Sequence, residues 1–407
     1  MNTNWPKIEK HLQQLLNTTD EPLCAYVYDL DALQEHIKQL RSTLPTPNCE
    51  LFYAIKANSD VPILRALAPW VHGFEVSSGG ELAWVREYFP HTPIIFSGPG
   101  KTDQELTLAL EKNVAAIHIE SRTELERLAY ITQRLNQPAK ILLRINFSLH
   151  DLAPTRLMMG GGPTPFGIAL DQLPACLDTL RRYPQIHLQG FHFHLLSHQL
   201  DADAHIKLLD TYLQQTHKWC QDYHLTIDHI NVGGGIGVNY QQLEQQFAWP
   251  IFAQGLQQLV LKHGKKIRME CGRYITAACG YYAAQVIDIK EAFGDHYAII
   301  RGGTHHFRTP YAQGHSHPFQ VMPVTRWAHP YTRTELSAKS ISVVGQLCTP
   351  KDLLAFKAPI KRIRCGDLVV FPYAGAYAWH ISHHDFLRHP HPQHHYLLNE
   401  ISSDATH

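Results

Sequence analysis

PIIFSGPGKTDQELTLALEKNVAAIHIESRTELERLAYITQRL, residues 93–135, repeats one pattern twice. PIIFS (93–97) and AAIHI (115–119) are short apolar runs bounded by turn residues, the mark of buried strands. DQELTLALEK and SRTELERLAYITQRL space their apolar residues at three and four, the helical period. The rhythm extends in both directions. Strand-like runs stand at LFYAI (51–55), HGFEV (72–76), KILLRIN (140–146), LQGFHFH (188–194), HINVG (229–233) and KIRME (266–270). Helical stretches such as VPILRALAPW and GELAWVREYF separate them. Eight strand–helix units in roughly 220–250 residues match the size of an α/β (β/α)8 TIM-like barrel, with an open doubly wound sheet as the alternative.

After about residue 280 the texture changes. YYAAQVIDIKEAF, YAIIRGG, FQVMPV, SISVVGQL and DLVVFPYAG are β-like, with turn residues and little helix between them. The expected division is a barrel over 31–280 and an all-β, Greek-key-like β-barrel domain formed by 1–30 plus 281–407. CAYVYDL (24–30) precedes the first barrel strand and is a candidate to pair into that second unit.

The 407 residues carry 36 basic and 36 acidic side chains, a balance that argues against a nucleic-acid or membrane surface. No apolar run approaches the roughly 20 residues needed to span a bilayer. The N-terminal MNTNWPKIEKHLQQLLNTTD is unlike a secretory signal. Eight scattered cysteines without a CxxC pair fit reduced thiols in a cytoplasmic enzyme.

Barrel active sites lie at the carboxyl ends of the strands. Those ends here supply Lys56, Glu75, Gly98, Glu120, Arg144, Asn146, His194, Gly233 to Gly235, and Glu270. Lys56 closes YAIKAN; it reads either as a snorkelling surface lysine or as a partly desolvated Schiff-base former with a lowered pKa. NVGGGIGVNY (231–240) lets backbone N–H groups close on an anion, a plain tight turn being the alternative. Glu270, in ECGRY, could pair with a pyridinium nitrogen or form a salt bridge to Arg273, whose planar fork suits phosphate. His192 and His194 point the same way by strand alternation, and either could stack on a flat ring or serve the core. Cys348, in VVGQLCTPKD, is a buried inert thiol or a proton donor. Tyr377, in YAGAYAW, offers a phenol to a phosphate. The tail HHDFLRHPHPQHH (383–395) invites a metal reading, but its prolines break any helix that would align ligands, and no metal is expected.

These motifs resemble the fold-type III pyridoxal-phosphate (PLP) decarboxylases, the diaminopimelate, ornithine and arginine decarboxylases. They run in order as YVYDLDAL, YAIKAN, FEVSSGGEL, SGPGKT, LLRIN, GFHFHLLS, NVGGGIGVNY, ECGRY, VVGQLCTPKD, GDLVVF and AGAY, from residue 26 to about 380. The resemblance implies a PLP barrel, a following β-domain, and a homodimer with shared active sites. It makes Lys56 the Schiff-base lysine, Glu270 the ring-nitrogen partner and His194 the stacking group. Ser197, Gly234, Gly235, Arg273 and Tyr377 would hold the phosphate, with Glu75 and Arg144 in support. Cys348 of the other subunit would be the proton donor, and Arg308 and Tyr311, in HHFRTPY, substrate-side groups. Rival readings are an amino-acid racemase of the same fold type, which would place arginine where Glu270 stands, and a non-catalytic PLP-binding regulator.

Thr349 stands where relatives acting on free diamino acids carry an acidic residue for the distal ammonium. A neutral, acylated distal nitrogen is therefore expected. LMMGGGPTPFGI (157–168) and AYAWHISHHDFL (376–387) resemble the subgroup acting on carrier-linked or citrate-conjugated amino acids, including citrate-type siderophore pathways. Citryl-ornithine and citryl-diaminopropionate are the expected substrates. Cys271, where proline usually follows the glutamate, affects a turn only.

Overall fold

The computed structural model describes residues 4–147 and 160–399, so the first three residues of LMMGGGPTPFGI lie outside the described residues. The strands in chain order are β1 (Cys24–Asp29), β2 (Cys49–Ala54), β3 (Gly73–Val76), β4 (Ile94–Phe96), β5 (Ala116–Ile119), β6 (Ala139–Asn146), β7 (Ile168–Ala169), β8 (Ile186–His192), β9 (His229–Asn231) and β10 (Lys266–Cys271). There follow β11 (Gly280–Ala292), β12 (Asp295–Ile300), β13 (Gln320–Met322), β14 (Glu335–Val344), β15 (Leu353–Arg364), β16 (Leu368–Phe371) and β17 (Gln393–Leu397).

Eight parallel strands close a ring in the order β2-β3-β4-β5-β6-β8-β9-β10, with β10 returning to β2 and the short β7 added to β6. All eight runs read from the sequence form these strands. Strand-to-helix turns are fixed by side-chain caps that satisfy free N–H groups. Ser78, Ser121 and Asp201 accept from Glu81, Glu124 and Ala204, and Thr102 forms a reciprocal capping box with Glu105. Ser78 and Ser121 follow the ends of β3 and β5 closely, whereas Thr102 and Asp201 close longer loops after β4 and β8.

Inside the ring, period two sorts the side chains into layers. Phe52, Ile95, Ala116 and Leu142 form a buried apolar cluster. Two residues further along their strands or loops stand Ala54, Ser97, His118 and Arg144, so the layer above is mostly polar. That change of polarity puts the chemistry above an apolar plug.

The second sheet runs β13-β16-β11-β12-β14-β15, with β1 beside β11 and β17 beside β1. It is mixed: β12–β14 and β1–β17 are parallel, while β1 meets β11 antiparallel with Cys24 opposite Ala284. The helix Trp5–Leu16 buries Ile8, Leu12 and Leu15 against Ala25, Val27, Tyr281, Ala283 and Val370. No helix among the described residues is long and apolar enough to cross a membrane.

Candidate functional site

A cavity of about 540 Å³ opens at the carboxyl ends of the barrel strands. Its walls include Lys56, Glu75, Arg144, His192, His194, Ser197, Gly235, Glu270, Arg273 and Tyr377. Gly234 borders it through the bond from its N–H to His194 Nδ1, 3.2 Å.

Lys56 follows β2, where the chain turns through a short 3-10 segment, Ile55–Ala57. Its Nζ meets Glu75 Oε2 at 3.0 Å and donates to Ser77 Oγ at 3.3 Å. Ser77 in turn donates to Glu75 Oε1 at 2.9 Å. The lysine side chain is 44% exposed and lines the cavity, whereas Glu75 is fully buried. The lowered lysine pKa expected from the sequence is not found. Burial does push the ammonium down, but Glu75 beside it, with Tyr377 and Glu270, more than offsets that and holds it above the usual lysine range.

Glu270, near the end of β10, does not pair with Arg273. Its Oε1 accepts from Asn231 Nδ2 at 2.7 Å and lies 3.4 Å from His118 Nδ1; its Oε2 lies 3.4 Å from His192 Nε2. The two imidazoles pack with centroids 4.2 Å apart. Burial first, and neighbouring cations second, hold both histidines well below their usual range, so both are neutral. Ligand-capable atoms of His118, His192 and Glu270 fall within 4.8 Å of one another. Glu270 is committed to Asn231 and His118 Nδ1 is shared with Ser97 Oγ at 3.0 Å, so we read this as a hydrogen-bonded layer. The histidines of 383–395 form no comparable group among the described residues.

Across the cavity, Gly233 and Gly235 have φ of +69° and +87°. A Cβ on Gly234 would sit 2.2 Å from the Glu270 carbonyl oxygen, and one on Gly235 2.8 Å from that of Leu196. This loop needs glycine for space as well as conformation. Arg273 stands beside it, donating to Tyr240 OH at 3.1 Å with its guanidinium 4.4 Å from the Tyr377 ring. Arg144, 6% exposed, donates to both oxygens of Glu120 at 2.9 Å.

Four expected residues lie outside this wall. Cys348 is exposed, and Thr349 is half-buried in the same turn. Arg308 is exposed with its N–H bonded to Ser382 Oγ, and Tyr311 is 43% exposed. Sequence reasoning missed Ser77, Ser97, His118 and Asn231. Counting back two from Glu120 and from Gly233 would have found His118 and Asn231.

The family described as "Pyridoxal-dependent decarboxylase, pyridoxal binding domain" matches residues 30–277. The chain belongs to the pyridoxal-dependent decarboxylases. It is 42% identical over 96% of its length, and 98% of the relative's, to the 2-[(L-alanin-3-ylcarbamoyl)methyl]-2-hydroxybutanedioate decarboxylase of Staphylococcus aureus. It is 30% identical, over 84% of its length and 81% of the relative's, to an L-glutamyl-acyl-carrier-protein decarboxylase of Niallia circulans. Among solved structures it is similar to diaminopimelate decarboxylase of Helicobacter pylori complexed with L-lysine: TM-score 0.83, 25% identity, 96% of this chain and 94% of that one.

The cofactor of this decarboxylase is pyridoxal phosphate, and the cavity suits it. An amine, a buried carboxylate, a neutral histidine, and a glycine loop with an arginine beside it all border this cavity. They offer partners for an aldehyde, a ring nitrogen, a ring face and a phosphate respectively. The lining is the observation that fits best: the Lys56 amine, the Glu270 carboxylate and the Arg273 guanidinium share one cavity of about 540 Å³ with Gly235.

Proposed function

We propose that this decarboxylase releases carbon dioxide from the α-carbon of a diamino acid whose distal nitrogen is acylated by citrate. Citryl-diaminopropionate and citryl-ornithine are the leading candidates. The observation that carries this is the turn after β14. Thr349 replaces an acidic residue, its N–H bonded to Leu347 O at 2.8 Å. The nearest carboxylate in the turn, Asp352, is 2% exposed and committed. Its Oδ1 accepts from Thr304 N and Oγ1 at 2.6 and 2.9 Å, and its Oδ2 from Leu347 N at 2.8 Å. A distal ammonium would find no partner in this turn, whereas a neutral amide needs none. Arg308 and His383 supply cationic or donor groups for the citryl carboxylates; Arg308 is bonded to Ser382, next to His383. The name of the Staphylococcus aureus relative's substrate describes such an amide, a hydroxy-polycarboxylate joined to carbon 3 of alanine. The product keeps the hydroxycarboxylate, a hard oxygen ligand, which suits siderophore assembly.

Bound pyridoxal phosphate supplies the electron sink that accepts the pair released as carbon dioxide leaves. Lys56 Nζ, at the cavity wall, would hold the cofactor's aldehyde carbon. Glu270 would partner the ring nitrogen and His194 the ring face, and Ser197, Gly234, Gly235, Arg273 and Tyr377 would hold the phosphate. Glu75 orients Lys56; Arg144, pinned by Glu120, steadies that wall. The Cys348 thiol delivers a proton to the α-carbon. Exposed on its own chain, it acts at the site of a second copy, which makes the functional unit a homodimer with Tyr311 and Arg308 near the shared mouth. Eight free cysteines, six of them buried, support a cytoplasmic setting.

Thr349→Asp tests the substrate reading. It is expected to raise the turnover of free ornithine relative to the citryl conjugate about 10-fold or more. An unchanged ratio, measured by carbon dioxide release, would contradict it.

A further inference from the structure

His192 is 1% exposed, yet neither ring nitrogen has a hydrogen-bond partner. Buried polar atoms are rarely left unpaired, and an exception beside a reacting group calls for a role. The nearest acceptor offered to it is Glu270 Oε2, 3.4 Å from Nε2. The other carboxylate oxygen is already taken by Asn231, whose own Oδ1 accepts from Gly233 N at 2.9 Å. We propose that His192 is a positioning residue for the decarboxylation, its Nε2–H being the second polar group, 3.4 Å from Oε2, that fixes the Glu270 carboxylate at the cavity wall.

Three features support this. The first is the tautomer. With the proton on Nδ1, Nε2 would hold a lone pair 3.4 Å from a carboxylate oxygen; with it on Nε2, the positive end of the N–H bond stands there, a contact longer than a made hydrogen bond. The second is charge. Arg144 on β6 and Lys56 and Lys101 from the loops after β2 and β4 surround the ring, His118 faces it from β5, and Asn231 and Glu270 flank it from β9 and β10. Burial, with those cations, keeps His192 neutral, so it acts as a fixed donor with no charge of its own. The third is support. His118 packs against it with 35° between the rings, and is itself tethered to Ser97. The layer under the cavity therefore sets where the Glu270 carboxylate stands.

The proposal rests on the assignment of Glu270 made above, and the experiment separates the two. His192→Gln places an amide donor near the Nε2 position, His192→Asn is too short to reach it, and His192→Leu removes it. For each, the cofactor dissociation constant of the resolved apoenzyme, kcat, and the thermal melt are measured, with Glu270→Ala alongside. Leu and Asn are expected to weaken cofactor binding and lower kcat about 10- to 100-fold, the effect of losing a hydrogen bond to a charged group. Gln should stay within about threefold of wild type. If the leucine variant does not fold, the Asn and Gln pair decides. Equal behaviour of Asn and Gln, whether both unaffected or both impaired, overturns the donor role. If Glu270→Ala keeps the cofactor and its activity, the Glu270 assignment falls. If only the Glu270 variant is impaired, His192 alone is misassigned.

Discussion

Lys56 and Glu75 meet at 3.0 Å, and that contact changes what the lysine is. The YAIKAN motif marks the amine, but only the fold shows a fully buried carboxylate beside it that keeps it charged. In a barrel mouth with Tyr377 and Glu270 also close, the protonated form is favoured despite desolvation. Lys56→Ala is expected to purify without a covalently held chromophore and to lose about three orders of magnitude or more in carbon dioxide release. A retained covalent absorption band would remove Lys56 from that role. Lys56, Glu75 and Glu270 were legible because each sits at or near the end of an apolar run, where a charge stands out. His118 and Asn231 were not, because they lie within AAIHI and HINVG, whose apolar neighbours read as core. The distance between a residue on β5 and one on β10 is set by ring closure, which no local pattern encodes.

At the scale of elements, the glycine loop after β9 is the tightest constraint. A methyl on Gly234 would overlap the Glu270 carbonyl, 2.2 Å away, so the loop and β10 must separate or the substitution must distort both. Gly234→Ala is expected to lower stability by about 1–3 kcal/mol, and to release cofactor on dialysis. Gly100→Ala, with nothing within 4 Å of the added carbon, serves as the neutral control. A Gly234→Ala protein with wild-type urea midpoint and cofactor content would contradict this. The barrel strands were readable from period and turn residues, since parallel strands buried on both faces become short apolar runs. Their ends were less so. LQGFHFH continues to residue 194, but β8 stops at His192, and His194 is turned toward Gly234 N. The parallel pairs of the second sheet were also illegible, because partners such as β1 and β17 are joined only through the whole chain between them.

For the whole molecule, the position of Cys348 is decisive. It stands exposed on the β-sheet unit while Lys56 lines the barrel cavity, so one chain does not bring the two proposed catalytic groups together at that wall. Mixing inactive Lys56→Ala and Cys348→Ala proteins under conditions of subunit exchange should therefore restore activity. About a quarter of the wild-type level is expected, the statistical share of intact sites after random re-pairing. No recovery despite demonstrated exchange would place both groups in one subunit. The substrate claim is tested most directly by carbon dioxide release from the cofactor-loaded enzyme. The panel is citryl-diaminopropionate, citryl-ornithine, free ornithine, lysine and meso-diaminopimelate. Turnover confined to the citryl conjugates is predicted; efficient turnover of a free diamino acid would contradict the acylated substrate and leave the decarboxylase standing.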